Sequence, residues 1–172
     1  YQARPYVNYI AGSEEDEPNE GWPYDASLSK LVANPNMAAA DLASHIVRDY
    51  VQSYVDMGYS GDVTQAALDL SQLDCLTAPL DVLASTLAPR IKVGKYELGE
   101  AQYRTSGAFY DSKLWDIAEL CKELSAETAD DPTRLAAEAV CAALPPASSQ
   151  FVIAEAHYGD KVKNCGGVSI YL

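Results

Sequence analysis

The sequence predicts an α/β fold, a layered sheet with helices on its faces, and three observations lead there. Short β-branched or aromatic runs alternate with segments of helical apolar period. At 172 residues and 48% hydrophobic, the chain can bury one substantial core, so one domain or part-domain over residues 1–172 is expected. Helices that alternate with strands also predict a sheet that is at least partly parallel. Only three or four strands are visible, which predicts a sheet left incomplete without an upstream segment.

Tyr1 to Arg4 carries no cap or start signal and reads as the tail of an element begun upstream. Val7 to Gly12 is the first strand, closed by Gly12 and the polar run Ser13 to Asp25, SEEDEPNEGWPYD. Asp25 is expected to cap a short helix carrying Leu28, Leu31 and Val32, which Asn34-Pro35-Asn36 stops. Asn36 then caps a longer helix in which Leu42, Ile46, Tyr50 and Tyr54, flanked by Val47, Val51 and Val55, form one apolar face until Gly58. Val63 to Leu70 is a strand candidate weakened by its alanines. Ser71 is expected to cap a helix striped by Leu73, Leu76, Leu80, Leu83 and Leu87, with Pro79 as a kink or fresh start.

Pro89 to Ser112, rich in Gly, Tyr and charge, shows no period and reads as a long connection. Leu114, Ile117, Cys121 and Leu124 define another helix. Asp131-Pro132 opens a further one, with Leu135, Val140 and Leu144 inward, that Pro145-Pro146 stops. Gln150 to Ala156 and Gly167 to Leu172 close the chain as strands around a turn-rich segment.

Twelve Lys plus Arg against 25 Asp plus Glu give a net charge of −13 and a pI near 4.3, which argues against nucleic acid as a partner. No apolar run is long enough for a membrane span, and the N-terminus lacks the order of a signal peptide. Cys75, Cys121, Cys141 and Cys165 stand 46, 20 and 24 residues apart, without the short spacings of a zinc or redox site. The first three are read as small hydrophobes packing inside helices, while Cys165 sits in a Gly-rich loop; a disulfide stays open.

The carboxylates that follow the first strand, Glu14, Glu15, Asp16, Glu17 and Glu20, have two readings. They form either a solvated surface or the rim of a cleft that receives a basic group. The same oxygens are a candidate calcium site, although they lack the spacing of an EF-hand loop; no cofactor is otherwise required. His157 and Cys165, eight residues apart, could make a thiol–imidazole pair with Gly166 and Gly167 as oxyanion donors, but two residues on one loop seldom have that geometry. His45 lies mid-helix beside the apolar face.

Five segments in order resemble the clostripain family of cysteine peptidases, of the caspase-like clan: YIAGSEEDEPNEGWPYD, LVANPNMAAADLASHIVRDYVQSYVD, DVTQAALDLSQLDCLTAPLDVLASTLA, YDSKLWDIAELCKEL and GGVSIYL. The resemblance implies a caspase-like sheet whose catalytic His and Cys precede this chain, so no catalytic residue is expected within it. It implies a heavy-chain-like C-terminal portion of an endopeptidase that cleaves after Arg or Lys, is inactive alone, and is partnered by the upstream catalytic segment. Peptides or proteins bearing basic residues would be the substrates, and an extracellular or cell-surface bacterial location follows by resemblance.

In that clan the strand after the nucleophile's helix walls the specificity pocket, which corresponds here to Gly12, Ser13 and the acids after them. The implied substrate-binding residues are Ser13, Glu15, Glu17 and Glu20, since a guanidinium is best met by a carboxylate. Continued strand alternation would put Glu14 and Asp16 on the solvated side, and Trp22 and Tyr24 are read as packing beneath the loop. Two competing readings stand beside this one. The first is a non-enzymatic caspase-like domain that contacts a basic partner through its acidic loop; the second is an independent hydrolase using Cys165 and His157.

Overall fold

A computed structural model describes residues 2–105, 109, 113–145 and 148–171. Tyr1, Pro146, Ala147 and Leu172, with residues 106–108 and 110–112 of the Gly- and Tyr-rich stretch, lie outside them. The elements in order are β1 (Tyr9–Gly12), α1 (Tyr24–Ala33), α2 (Ala39–Met57), β2 (Val63–Asp69), α3 (Asp74–Leu87), α4 (Ile91–Arg104), β3 (Leu114–Asp116), α5 (Ile117–Glu127), α6 (Asp131–Ala142), β4 (Val152–Tyr158) and β5 (Ser169–Tyr171).

β2 is the centre of a three-stranded sheet ordered β1-β2-β4, and β3 pairs with β5 in a separate ladder. The expected parallel pairing does not occur: every ladder among the described residues is antiparallel. Two helices, not one, join β1 to β2, so the chain goes out and comes back to the end of the sheet that β1 left, and β2 runs the other way. Gly12 faces Ala66, and Thr64 faces His157, which fixes the register around the later site.

α2 covers one face of this sheet. Val47, Tyr50 and Tyr54 are fully buried on it, meeting Val63, Ala67, Ala154 and Ala156. Ala67, one of the alanines that weakened β2 as a strand candidate, lets α2 approach closely. Each large side chain so buried contributes about 1.5–3 kcal/mol. Gly58 ends α2 in the left-handed conformation, φ 65°, as the sequence indicates. The N-terminal cap differs: Ala38, not Asn36, precedes the helix and no side chain caps it.

Ala66, Leu68 and Val152 turn to the opposite face and join Leu76 and Leu83 of α3, Leu120 and Leu124 of α5 and Val140 of α6. Strand alternation therefore serves two cores at once. α3 runs through Pro79 as one helix; Asp69, rather than Ser71, is the residue whose carboxylate caps the turn before it. α6 opens on Asp130, whose carboxylate accepts the N–H of Thr133, with Pro132 in the first turn. Leu135 is exposed, against expectation, while Val140 and Leu144 are buried. On α1, Leu28 and Val32 are exposed and Ser27 faces inward.

The stretch from Pro89, read as a connection, contains the 14-residue helix α4. Arg90 holds its start. The guanidinium reaches Glu97 on α4 at 3.3 Å, and Asp130 at 3.0 Å and Thr133 at 2.8 Å at the start of α6. No described helix is long and apolar enough to cross a membrane.

Candidate functional site

Beyond Gly12 the chain leaves the strand, and Thr64 on β2 captures it. The Glu14 and Glu15 backbone N–H groups both donate to Thr64 Oγ1, at 2.9 and 3.1 Å. With both lone pairs used, the Thr64 hydroxyl donates its own hydrogen to Ser13 Oγ, 2.9 Å away. Ser13 Oγ in turn accepts the Glu15 N–H at 3.1 Å. Three consecutive residues so gathered on one hydroxyl cannot alternate as a strand would.

The consequence is a correction to the expected loop. Glu14, expected on the solvated side, is buried. Its Oε2 accepts the Gly167 N–H at 3.1 Å, while Oε1 is sealed from solvent with no hydrogen-bond partner. Beside it stands Asp116, also buried, which accepts the Glu119 N–H at 2.7 Å as the N-cap of α5 and the Gly166 N–H at 2.6 Å. Burial first, then the neighbouring Asp116, hold the Glu14 carboxyl far above the usual carboxylate range; burial also raises Asp116. Two carboxyls in one apolar site cannot both ionise, so the pair shares a proton at neutral pH.

Glu15, Asp16 and Glu17 stay toward the surface and line a cavity of about 460 Å³ with Tyr59, Asp62 and Lys161. Of the residues implied for substrate binding, the structure brings Glu15 and Glu17 together there, in the company of Asp16. Ser13 lies behind them as part of the Thr64 anchor, and Glu20 is exposed outside that cavity. Glu17 accepts the Trp22 indole N–H at 2.8 Å, and the Trp22 ring meets Tyr50 edge-on, 6.1 Å between centroids. Trp22 thus packs beneath the loop as expected. Tyr24 does not, being 64% exposed and stacked on Trp22.

A second cavity, about 320 Å³, brings His157 and Cys165 to one wall together with Glu119, Glu155, Lys163 and Asn164. His157 Nδ1 pairs with Glu155 Oε1 at 2.7 Å, and that carboxylate raises the imidazole above its ordinary value. Cys165 is buried, and burial followed by the Glu14, Asp116, Glu119 and Glu155 carboxyls pushes its thiol strongly upward. A thiol so placed stays protonated, the reverse of what a nucleophile requires. The Gly166 and Gly167 N–H groups already serve Asp116 and Glu14, which takes away the donors that an oxyanion would use.

All four cysteines are free thiols. Cys121 is buried and Cys141 half-buried against the helical core, as read from the sequence, but Cys75 is exposed beside Gln72 and Gln150. His45 is half-buried on α2. Among the described residues, Glu14, Asp116 and Cys165 are the group whose potential ligand atoms all lie within 4.8 Å of one another, and the acids of the exposed loop form no such group. Sequence reasoning passed over Asp116, although Asp116 followed three residues later by Glu119 is a helix-start signal. Thr64 and Glu14 left no such trace, since both roles depend on a turn off the strand end.

The sequence model of the clostripain family matches residues 1–172. No curated protein matches the chain. Among solved structures, a secreted C11 cysteine protease from Bacteroides thetaiotaomicron, in complex with an irreversible peptide inhibitor, superposes with a TM-score of 0.62 at 18% identity. All of this chain and 48% of that one are covered, so the present chain spans about half its length. A cysteine protease of B. fragilis gives a TM-score of 0.57 at 16% identity, over all of this chain and 71% of the other. At these identities the likeness is one of fold.

Proposed function

The chain belongs to the clostripain family, and from that premise we propose that it is the heavy-chain-like C-terminal portion of a cysteine endopeptidase cleaving after Arg or Lys. The observation that carries the reading is the cavity bordered by Glu15, Asp16, Glu17 and Asp62 at the end of β1. A lysine or arginine side chain entering there would meet several carboxylates at short range, and an acid-lined concavity also concentrates cationic substrates.

The division of labour follows from what the residues present can do. Thr64 and Trp22 hold the rim in place, so the acids select without reorganising. Thiol chemistry belongs to the family's His and Cys in the segment upstream, because Cys165 is buried and its thiol is held protonated. Cleavage would proceed by thiolate attack on the scissile carbonyl and protonation of the leaving amine by imidazole. An extracellular or cell-surface site of action belongs to the same proposal, in keeping with the secreted neighbour.

A fluorogenic peptide with Arg or Lys before the scissile amide tests this. The chain joined to the segment bearing the family's His and Cys is expected to cleave it and to lose activity on thiol alkylation. Glu15→Gln combined with Glu17→Gln is expected to raise KM for the Arg peptide about tenfold, the scale of one charge-assisted hydrogen bond. Equal cleavage of Arg and Ala peptides would sink the basic-pocket reading. Binding of basic peptides without any cleavage would favour a non-enzymatic binding domain.

A further inference from the structure

Glu14, Asp116 and Cys165 reach one point from three separate parts of the chain: the loop after β1, the end of β3, and the glycine loop before β5. They are 9%, 1% and 6% exposed, so none can draw on bulk water. Glu14 Oε1 is sealed there and no N–H or hydroxyl reaches it, so only the proton shared with Asp116 serves it, and a buried cation can take that proton's place. Every other oxygen of the two carboxyls is already oriented by a backbone N–H, from Gly167, Glu119 or Gly166. Such hydrogen bonds fix ligands in place around a metal.

We propose that Glu14, Asp116 and Cys165 form a buried site for a thiophilic divalent cation of the zinc class. A thiolate with two carboxylates selects zinc or cobalt over calcium or magnesium, which prefer an all-oxygen shell. The cavity of about 320 Å³ lined by Cys165, Glu119 and His157 brings the thiol to an opening and supplies the entry path, from which a water would take the fourth position. Binding forms metal–sulfur and metal–oxygen bonds and releases the Cys165 thiol proton, with the proton shared by the carboxyls, to the buffer. The site lies behind the acidic loop and does not depend on the peptidase reading.

The test is a cobalt(II) titration of chelator-washed protein, read by thiolate-to-cobalt charge-transfer absorption. One equivalent is expected to give the band, displaced by zinc and untouched by calcium. Cys75→Ser and Cys141→Ser should keep it, Cys165→Ser should lose it, and Glu14→Gln should weaken cobalt binding about tenfold or more. No band in the unaltered protein, displacement by calcium as well as by zinc, or loss of the band in Cys75→Ser would each overturn the proposal. Those three readings do not depend on how well the Cys165→Ser protein folds.

Discussion

Thr64 Oγ1 lies 2.9 Å from the backbone nitrogen of Glu14, and this contact turns the chain off the end of β1 into the rim of the acid-lined cavity. Thr64→Val keeps the volume but strands the Glu14 N–H, while the Glu15 N–H keeps Ser13 Oγ alone. Its expected cost is about 1–3 kcal/mol, from the loss of a buried acceptor. Urea unfolding is the measurement, and Thr64→Ser should recover most of the loss. A Thr64→Val midpoint equal to that of the unaltered protein would show that the rim is held by something else.

Gly167 and Gly21 make a matched pair. Both have positive φ, 86° and 75°, but a Cβ on Gly167 would sit 2.7 Å from the Ala66 Cβ on the central strand, while one on Gly21 would meet nothing within 4 Å. Gly21→Ala should therefore cost about 1 kcal/mol, for conformation alone. Gly167→Ala adds a clash in a packed layer and should cost about 3 kcal/mol or more. Thermal melts of the two variants side by side check the difference.

Arg90 joins α4 to α6 through Glu97, Asp130 and Thr133. Arg90→Met should destabilise by about 2 kcal/mol, chiefly by leaving the buried Glu97 carboxylate without its partner. Arg90→Lys should not rescue it, because one ammonium cannot address three acceptors in a fixed fork. Hydrogen exchange in α4 should rise in both variants, and unchanged exchange there would contradict the role assigned to Arg90.

His157 carries the pH dependence that can be given a sign. Glu155 raises its pKa in the folded chain above the ordinary value of 6.5. The protonated form is the one that folding favours, so the contribution is fully present below 6.5 and fades as pH rises through the higher folded value. Unfolding free energy followed across the imidazole range should show that decline. The raised Glu14 carboxyl adds a decline of the same sign, so in Glu155→Gln the fall across the imidazole range should become shallower rather than vanish.

The elements legible in the sequence were those whose signals are local. α2 announced itself by a four-residue apolar repeat and Gly58, and α6 by Asp131 and Pro132. α4 did not, because IKVGKYELGEAQYR has two glycines and no stripe, and its helix rests on Arg90 and on packing against α5. Strand direction was illegible for a different reason. Counting elements says that helices separate β1 from β2, but the antiparallel outcome depends on how the pair α1 and α2 folds back. In the candidate site, Glu15 and Glu17 were reachable from the acidic run, whereas Glu14 was placed wrongly because alternation was carried past Gly12, where the strand ends.

Among the described residues β1 pairs with β2 alone, and Ile10 on it is 36% exposed. A strand with one unoccupied flank is a template for another molecule's backbone. Between copies of this chain, a net charge of −13 opposes such pairing. Concentrated salt shortens the reach of that repulsion to a few ångströms. Colloidal behaviour should therefore run against the usual habit of adding salt, with clear solutions at low ionic strength and strand-to-strand association as it rises.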